Sequence, residues 1–153
     1  MLNIIATNDD GINAPGLWSL VRAISPISEV IVCAPDRDKS GVGASLTLTE
    51  PIRATKIPSR IGGVEAYGID GTPGDAAILA IKEIARETPD LLVSGINEGN
   101  NISSSVTVSG TVGAAHHARL AGIPAIAFSA HTMLDFDNPR ISEVIRVLVR
   151  FIA

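Results

Sequence analysis

The stretch Leu2-Asn3-Ile4-Ile5-Ala6-Thr7-Asn8-Asp9-Asp10-Gly11 decides the fold. Its first half is a nearly continuous apolar run, and its second half turns polar and ends on glycine. A strand of a parallel sheet reads this way, because both of its faces are covered and the loop begins where the cover stops. Pro15-Gly16 follows, and Leu17, Leu20, Val21 and Ile24 then recur at helical spacing on one apolar face. Glu29 to Ala34 is a second apolar run, closed by Pro35-Asp36. A strand–helix–strand opening of this length predicts a parallel sheet with a right-handed crossover.

The pattern continues outward. Asp36 to Gly43 is polar and glycine-rich and reads as a loop, and Ser45-Leu46-Thr47-Leu48-Thr49 alternates at period two. Arg53 to Ile57 and Val64 to Tyr67 are short extended candidates, expected as antiparallel additions or an edge extension. In Thr72-Pro73-Gly74-Asp75, Thr72 can cap, Pro73 suits the first helical position and Asp75 sits at the capping-box offset. That helix is expected to end near Arg86. Asp90 to Ser94 is the next buried strand, Gly113 to Ala121 a helix and Pro124 to Ser129 another strand. Ile141, Val144, Ile145, Leu148, Val149 and Ile152 form one helical stripe. No repeat or linker divides the 153 residues, so one domain is expected.

Composition agrees. Hydrophobic residues at 46% against 18% charged argue for a packed core, and aromatics at 3% leave it to Ile, Val, Leu and Ala. That branched mix suits a sheet covered by helices. The net charge of -4 and the lack of a Lys/Arg stripe argue against binding a nucleic-acid polymer. Cys33, alone in the apolar run Val30 to Ala34, is expected as a buried core residue in a reducing compartment. The opening residues lack the basic segment of a signal peptide, and no apolar run approaches the ~20 residues of a membrane helix. The expectation is a cytoplasmic protein with no membrane association.

In open parallel sheets, ligands bind outside the carboxyl ends of the strands. Strand one delivers Asn8, Asp9 and Asp10 there, strand two Asp36, Arg37, Asp38 and Ser40, and the strand at Leu91 to Val93 Ser94, Gly95, Ile96 and Asn97. Adjacent carboxylates repel, and a hard divalent cation removes the penalty; oxygen donors suit magnesium or manganese. The plainer alternative is that one Asp caps the turn while the other is solvated. Ser109-Gly110-Thr111-Val112-Gly113 leads into a helix whose free amides can bind phosphate, with hydroxyls from Ser109 and Thr111 and a close backbone approach at Gly110. Its alternative is an ordinary cap. No P-loop, dinucleotide fingerprint or nucleophile elbow is present. His116 and His117 are expected as helix-surface or packing residues, and His131, after a strand, is a weak general-acid candidate.

Thr7-Asn8-Asp9-Asp10-Gly11, Ala34-Pro35-Asp36-Arg37-Asp38-Lys39-Ser40-Gly41, Gly71-Thr72-Pro73, Ser94-Gly95-Ile96-Asn97 and Ser109-Gly110-Thr111-Val112 occur in an order that resembles the SurE survival-protein family. The resemblance covers nearly the whole chain. It implies an α/β, Rossmann-like three-layer sandwich with a mostly parallel sheet and short antiparallel additions. It also implies a phosphatase dependent on one divalent metal ion, Mg2+ or Mn2+, acting on nucleoside 5′- and 3′-monophosphates, in a homodimer or higher homo-oligomer. By position, the metal ligands fall on Asp9, Asp10, Ser40 and Asn97. Substrate contacts fall on Asn97, Ser109, Gly110 and Thr111, and the catalytic set is Asp9, Asp10 and Asn97. The chain departs from the family at Asn97-Glu98-Gly99-Asn100-Asn101-Ile102-Ser103, which lacks the usual Pro and final Gly, and at Val108, where an aromatic is common. Residues 1–153 are expected to be a single core domain lacking the family's C-terminal portion. Two other readings are a receiver-like signalling module, which Lys39, Lys56 and Lys82 do not suit, and a catalytically impaired nucleotide-binding or assembly module.

Overall fold

The computed structural model describes residues 1–131 and 135–153. The apolar runs pair side by side because each can bury both faces. Among the described residues the strands are β1 (Leu2–Thr7), β2 (Ser28–Pro35), β3 (Ala54–Ile57), β4 (Glu65–Ile69), β5 (Leu91–Glu98) and β6 (Ala125–Ala130). They form one sheet in the order β3-β4-β2-β1-β5-β6. All neighbours are parallel except β3, which runs antiparallel to β4.

Alternate strand residues feed two cores. Ile4, Ala6, Val30, Val32, Ala66, Leu91 and Val93 face one side, where α1 (Pro15–Ile24) and α5 (Pro139–Ile152) cover them with Leu17, Leu20, Val21, Ile24, Ile145 and Val149. Ile5, Cys33, Ile69 and Leu92 face the other side. There α2 (Pro73–Leu79), its π-helical continuation Ala80–Ile84 and α4 (Gly110–Leu120) supply Ala76, Ala77, Ala80, Ala114 and Ala118. The alanines let this second pair of helices lie close to the sheet. Each fully buried Ile or Leu contributes roughly 1.5–3 kcal/mol of transfer free energy. The result is the three-layer, mostly parallel α/β sandwich expected.

Several local expectations need correction. Val64 to Tyr67 is no antiparallel addition: β4 lies inside the sheet, parallel to β2, and only β3 is an antiparallel edge strand. Ser45 to Thr49 joins no strand; Thr47 instead donates its backbone N–H and its hydroxyl to the Asp75 carboxylate, at 3.0 and 2.7 Å. The helix expected from Gly113 starts at Gly110, because Ser109 caps it. A short helical turn, α3 (Ser105–Val108), sits in what reads as a polar loop. The C-terminal stripe divides: Ile145 and Val149 are buried, whereas Val144, Leu148 and Ile152 stay exposed. α5 packs on α1 along only half of its apolar surface.

The chain places β2, β4 and β3 on one side of β1, then returns to place β5 and β6 on the other. The strand order therefore reverses between β1 and β5, and a crevice opens at their carboxyl ends.

Candidate active site

β1 ends in the crevice with two carboxylates in different surroundings. Asp9 is 3% exposed, whereas Asp10 is half-buried. Thr111 Oγ1, itself fully buried, donates to Asp9 Oδ1 at 2.5 Å, across 102 residues of sequence. Burial, and next the charge of Asp9, push the Asp10 carboxyl up to about 6. A hydrogen bond from the Glu98 backbone opposes the rise, and Asp38 and Glu98 add weaker repulsions. Both effects are the expected signature of like charges partly out of water.

The turn after β1 is tied to the rest of the site by backbone bonds. Asn8 Nδ2 donates to Gly11 O at 3.0 Å. Gly11 has φ +101°, and a Cβ there would lie 3.0 Å from the Arg37 backbone, so a side chain is excluded twice over. Lys39 N donates to Asp9 O at 2.7 Å, bringing the loop after β2 against the carboxylates. In that loop Asp38 Oδ1 accepts from the Ser40 amide at 2.7 Å and from its hydroxyl at 2.6 Å. These bonds hold the Asp38 carboxyl below the usual range. At the end of β5, Asn97 Nδ2 donates to Gly99 O at 2.7 Å, which leaves Oδ1 for another partner.

α4 points its first turn at Asp9. Ser109 Oγ accepts from Val112 N at 3.2 Å, and Gly113 N donates to Ser109 O, so the amides of Gly110 and Thr111 are those without an intrahelical partner. A Cβ on Gly110 would lie 2.7 Å from Asp9 Cβ and 3.0 Å from Asp9 Oδ2. Glycine here is what lets the helix end touch the carboxylate. The positive end of the helix and the Asp9 charge stabilise each other.

Three buried side-chain atoms lack a hydrogen-bond partner among the described residues: Thr7 Oγ1, Asn8 Oδ1 and Ser94 Oγ. Thr7 closes β1, Asn8 follows it, and Ser94, in the middle of β5, is the register partner of Thr7. Unsatisfied polarity thus concentrates beneath the crevice. A cavity of about 690 Å³ beside Asn3, Glu29, Glu65 and Arg86 opens at the amino ends of the strands instead.

Asp9, Gly110 and Thr111 are in direct contact, and Asp10 lies beside Asp9 and the Glu98 backbone. Ser40 reaches the group through Asp38 and Lys39, and Asn97 borders it at Glu98. Thr111 spends its hydroxyl on Asp9 rather than presenting it to a ligand, and Ser109 is a helix cap as well. His117 Nε2 bonds Ala44 O at 2.8 Å, a packing role as expected, and His131 follows directly on β6. Asp38 was gathered at this edge from sequence without a role, and the Thr72–Asp75 capping box was expected, but neither the Asp38–Ser40 bond nor the Thr47–Asp75 bond was foreseen. The Asp-x-Ser spacing of Asp38 and Ser40 carries the signal, since an Asp readily accepts from the residue two positions on.

An open sheet that reverses its strand order above paired carboxylates and a helix N-terminus belongs to the α/β class whose ligands sit outside the carboxyl strand ends. Within that class the sequence model described as Survival protein SurE matches residues 4–153. The chain belongs to the SurE survival-protein family. It is 48% identical over 134 residues to a 5'-nucleotidase SurE of Dehalococcoides mccartyi, covering 88% of this chain and 51% of that protein. It is 52% identical over 128 residues to a 5'-nucleotidase SurE of Methanopyrus kandleri, covering 84% and 48%. The crystal structure of the SurE protein from Aquifex aeolicus is similar with a TM-score of 0.83 at 39% identity, covering 97% of this chain and 58% of that one. The chain spans about half the length of the curated relatives it matches.

Proposed function

We propose that this chain carries the catalytic core of a divalent-metal-dependent phosphatase that hydrolyses nucleoside 5′- and 3′-monophosphates to nucleoside and phosphate. The name of its relatives, 5'-nucleotidase, supports the phosphoric monoester. The observation that carries the reading is Asp9. Its buried carboxylate is bonded by Thr111, touched by the Gly110 backbone and paired with Asp10, so a place for positive charge adjoins a place for a phosphate.

The donors fit a hard cation. Among the described residues no three His, Cys, Asp or Glu side chains converge on a metal site. The ligand set would therefore be mixed: the Asp9 and Asp10 carboxylates, the Ser40 hydroxyl and the Asn97 carbonyl oxygen. The raised Asp10 carboxyl is the electrostatic cost such an ion removes. When bound, Mg2+ or Mn2+ would supply charge against the phosphoryl oxygens and lower the pKa of an attached water.

The protein's own groups do the rest. The amides of Gly110 and Thr111 neutralise phosphoryl oxygens as charge builds in the transition state. The Ser109 hydroxyl, which accepts from Val112, keeps its proton to donate to the same group. Asp9, fixed by Thr111, serves to hold the cation. Asp10, the more accessible carboxylate, orients and deprotonates the attacking water. The nucleoside alcohol leaves on the opposite side. Phosphate release from nucleoside monophosphates, measured with Mn2+, with Mg2+ and with chelator, tests the proposal. Asp9→Asn and Asp10→Asn are each expected to lower turnover by at least about 10²-fold. Near wild-type turnover in both would sink it.

A second reading, a nucleotide-binding or assembly module, is favoured by the exposed apolar residues Val144, Val147, Phe151 and Ile152 of α5, which also support the expected homo-oligomer. Binding of a nucleotide without phosphate release would select it. Among the described residues no helix is long and apolar enough to cross a membrane.

A further inference from the structure

We propose that Asp38 is a positioning residue of the phosphatase proposed above: it accepts the hydrogen bond of the Ser40 hydroxyl and so keeps the lone pairs of that oxygen for the cation. The inference rests on that reading for the cation, and its own support is the construction of the loop after β2.

The first argument is the bond itself. Asp38 Oδ1 accepts from the amide of Ser40 at 2.7 Å and from its hydroxyl at 2.6 Å. Two donors of one residue on one oxygen fix the side-chain rotamer of Ser40 together with its backbone. A serine hydroxyl has one proton and two lone pairs. With the proton committed to Asp38, only the lone pairs are left to face any other group.

The second argument is what the proton would do otherwise. Ser40 is exposed, and an exposed hydroxyl without a partner rotates to whichever acceptor is near. Lys39 N donates to Asp9 O at 2.7 Å, so Ser40 directly follows a residue bonded to the backbone of the carboxylate pair. In the ligand set proposed above, the hydroxyl and both carboxylates share one ion. An uncommitted proton would have Asp9 and Asp10 as acceptors and would aim positive charge at the place the ion takes.

The third argument is how firmly the loop is held. Val42 N donates to Lys39 O at 3.4 Å, closing a turn with Ser40 and Gly41 at its centre. Gly41 has φ +81°, and a Cβ there would meet nothing within 4 Å, so conformation rather than crowding asks for glycine. The turn is pinned on either side, by Lys39 N on Asp9 O and by Gly43 N on Val108 O at 2.9 Å. Its frame is therefore set by backbone bonds, and Asp38 sets the one torsion they leave free, that of the Ser40 side chain. Carboxylates that orient a metal ligand from outside the coordination sphere recur in metal sites, and losing one costs roughly 10–100-fold in affinity. The charge of Asp38 also bears on Asp10 through space, which is a different route to the same ion.

Mn2+ titrated into metal-free protein, with the free ion counted by electron paramagnetic resonance, separates the bond from the charge. Asp38 and Ser40 are both exposed, so the variants keep the fold, which metal-free Tm checks. Asp38→Ala should weaken binding roughly 10-fold or more. Asp38→Asn, which loses the charge but keeps an oxygen able to accept the same two bonds, should recover most of that loss. In a Ser40→Ala background, Asp38→Ala should weaken binding no further, because the group it acts through is gone. Equal loss in Asp38→Asn and Asp38→Ala, or a loss that persists without the Ser40 hydroxyl, overturns the inference and assigns Asp38 a purely electrostatic part. Binding that survives Asp38→Ala also overturns it, with the cation reading intact. Wild-type protein that holds no Mn2+ overturns the cation reading and this inference with it.

Discussion

Thr111 buries a hydroxyl in order to hold a carboxylate, and that arrangement fixes what its replacement does. Thr111→Val keeps the shape but leaves the Asp9 charge, 3% exposed, short of a donor. Losing such a charge-assisted bond costs about 1.5–3 kcal/mol. Thermal unfolding without metal should show the loss, and Thr111→Ser should recover most of it. Gly110→Ala inverts the usual preference of a helix for alanine. Its Cβ would fall 2.7 Å from Asp9 Cβ and 3.0 Å from Pro73 Cγ. A net destabilisation of about 1–3 kcal/mol is expected from the strain, with turnover reduced as well. Asp10 sets a pH signature. Its carboxyl, raised from 3.8 to about 6, binds a proton more tightly in the folded than in the unfolded chain. Metal-free stability should therefore fall as pH rises from about 4 to about 6 and level off above. A cation favours the ionised form, so the rise in Tm on adding Mn2+ should be larger at pH 7.5 than at pH 5. An equal rise at both would place the ion away from Asp10.

At the scale of elements, α2 is held by a capping box: Asp75 N donates to Thr72 Oγ1 at 3.1 Å and Thr72 N to Asp75 Oδ2 at 2.8 Å. Thr72 Oγ1 also donates to Ser45 O, so one residue starts a helix and ties down the segment that precedes it. Thr72→Ala should cost about 1 kcal/mol, read as a lower midpoint in urea with an unchanged slope. This start was legible in Thr72-Pro73-Gly74-Asp75, because caps are local chemistry. So were β1, β2 and β5, whose continuous apolar runs follow from being covered on two sides. β4 was not legible. Val64 to Tyr67 is short and flanked by glycines, and whether a strand lies inside a sheet depends on a partner 34 residues earlier, as Ile31 pairs with Glu65. The same limit hid the Asp9–Thr111 bond: two motifs could be assigned to one sheet edge, but not which hydroxyl would be spent on a carboxylate.

At the scale of the molecule, α5 carries more apolar surface than α1 can cover. Val147 is 62% and Phe151 84% exposed, whereas Ile145 and Val149 are buried. Within the stripe of six, Val144, Leu148 and Ile152 are exposed as well, a division that an even pattern does not announce and that arises from where the neighbouring helix lies. If the face mediates self-association, Val147→Glu with Phe151→Glu should shift the molar mass by light scattering toward the single chain. Far-ultraviolet circular dichroism should stay unchanged, because neither side chain supports the core. An unaltered mass would assign the oligomer to another surface.

The bond between Asp9 and Thr111 spans 102 residues, and this separation bears on when the site can exist. A chain emerging from the ribosome completes β1 early, but its carboxylates have no helix end to meet until residue 111 has been made and α4 has crossed over the sheet. Closing so long a segment is slow relative to local helix formation. Capture of Mn2+ would consequently report the finished topology rather than any early collapsed form, and nascent chains arrested before residue 105 should hold the ion no better than an unfolded peptide.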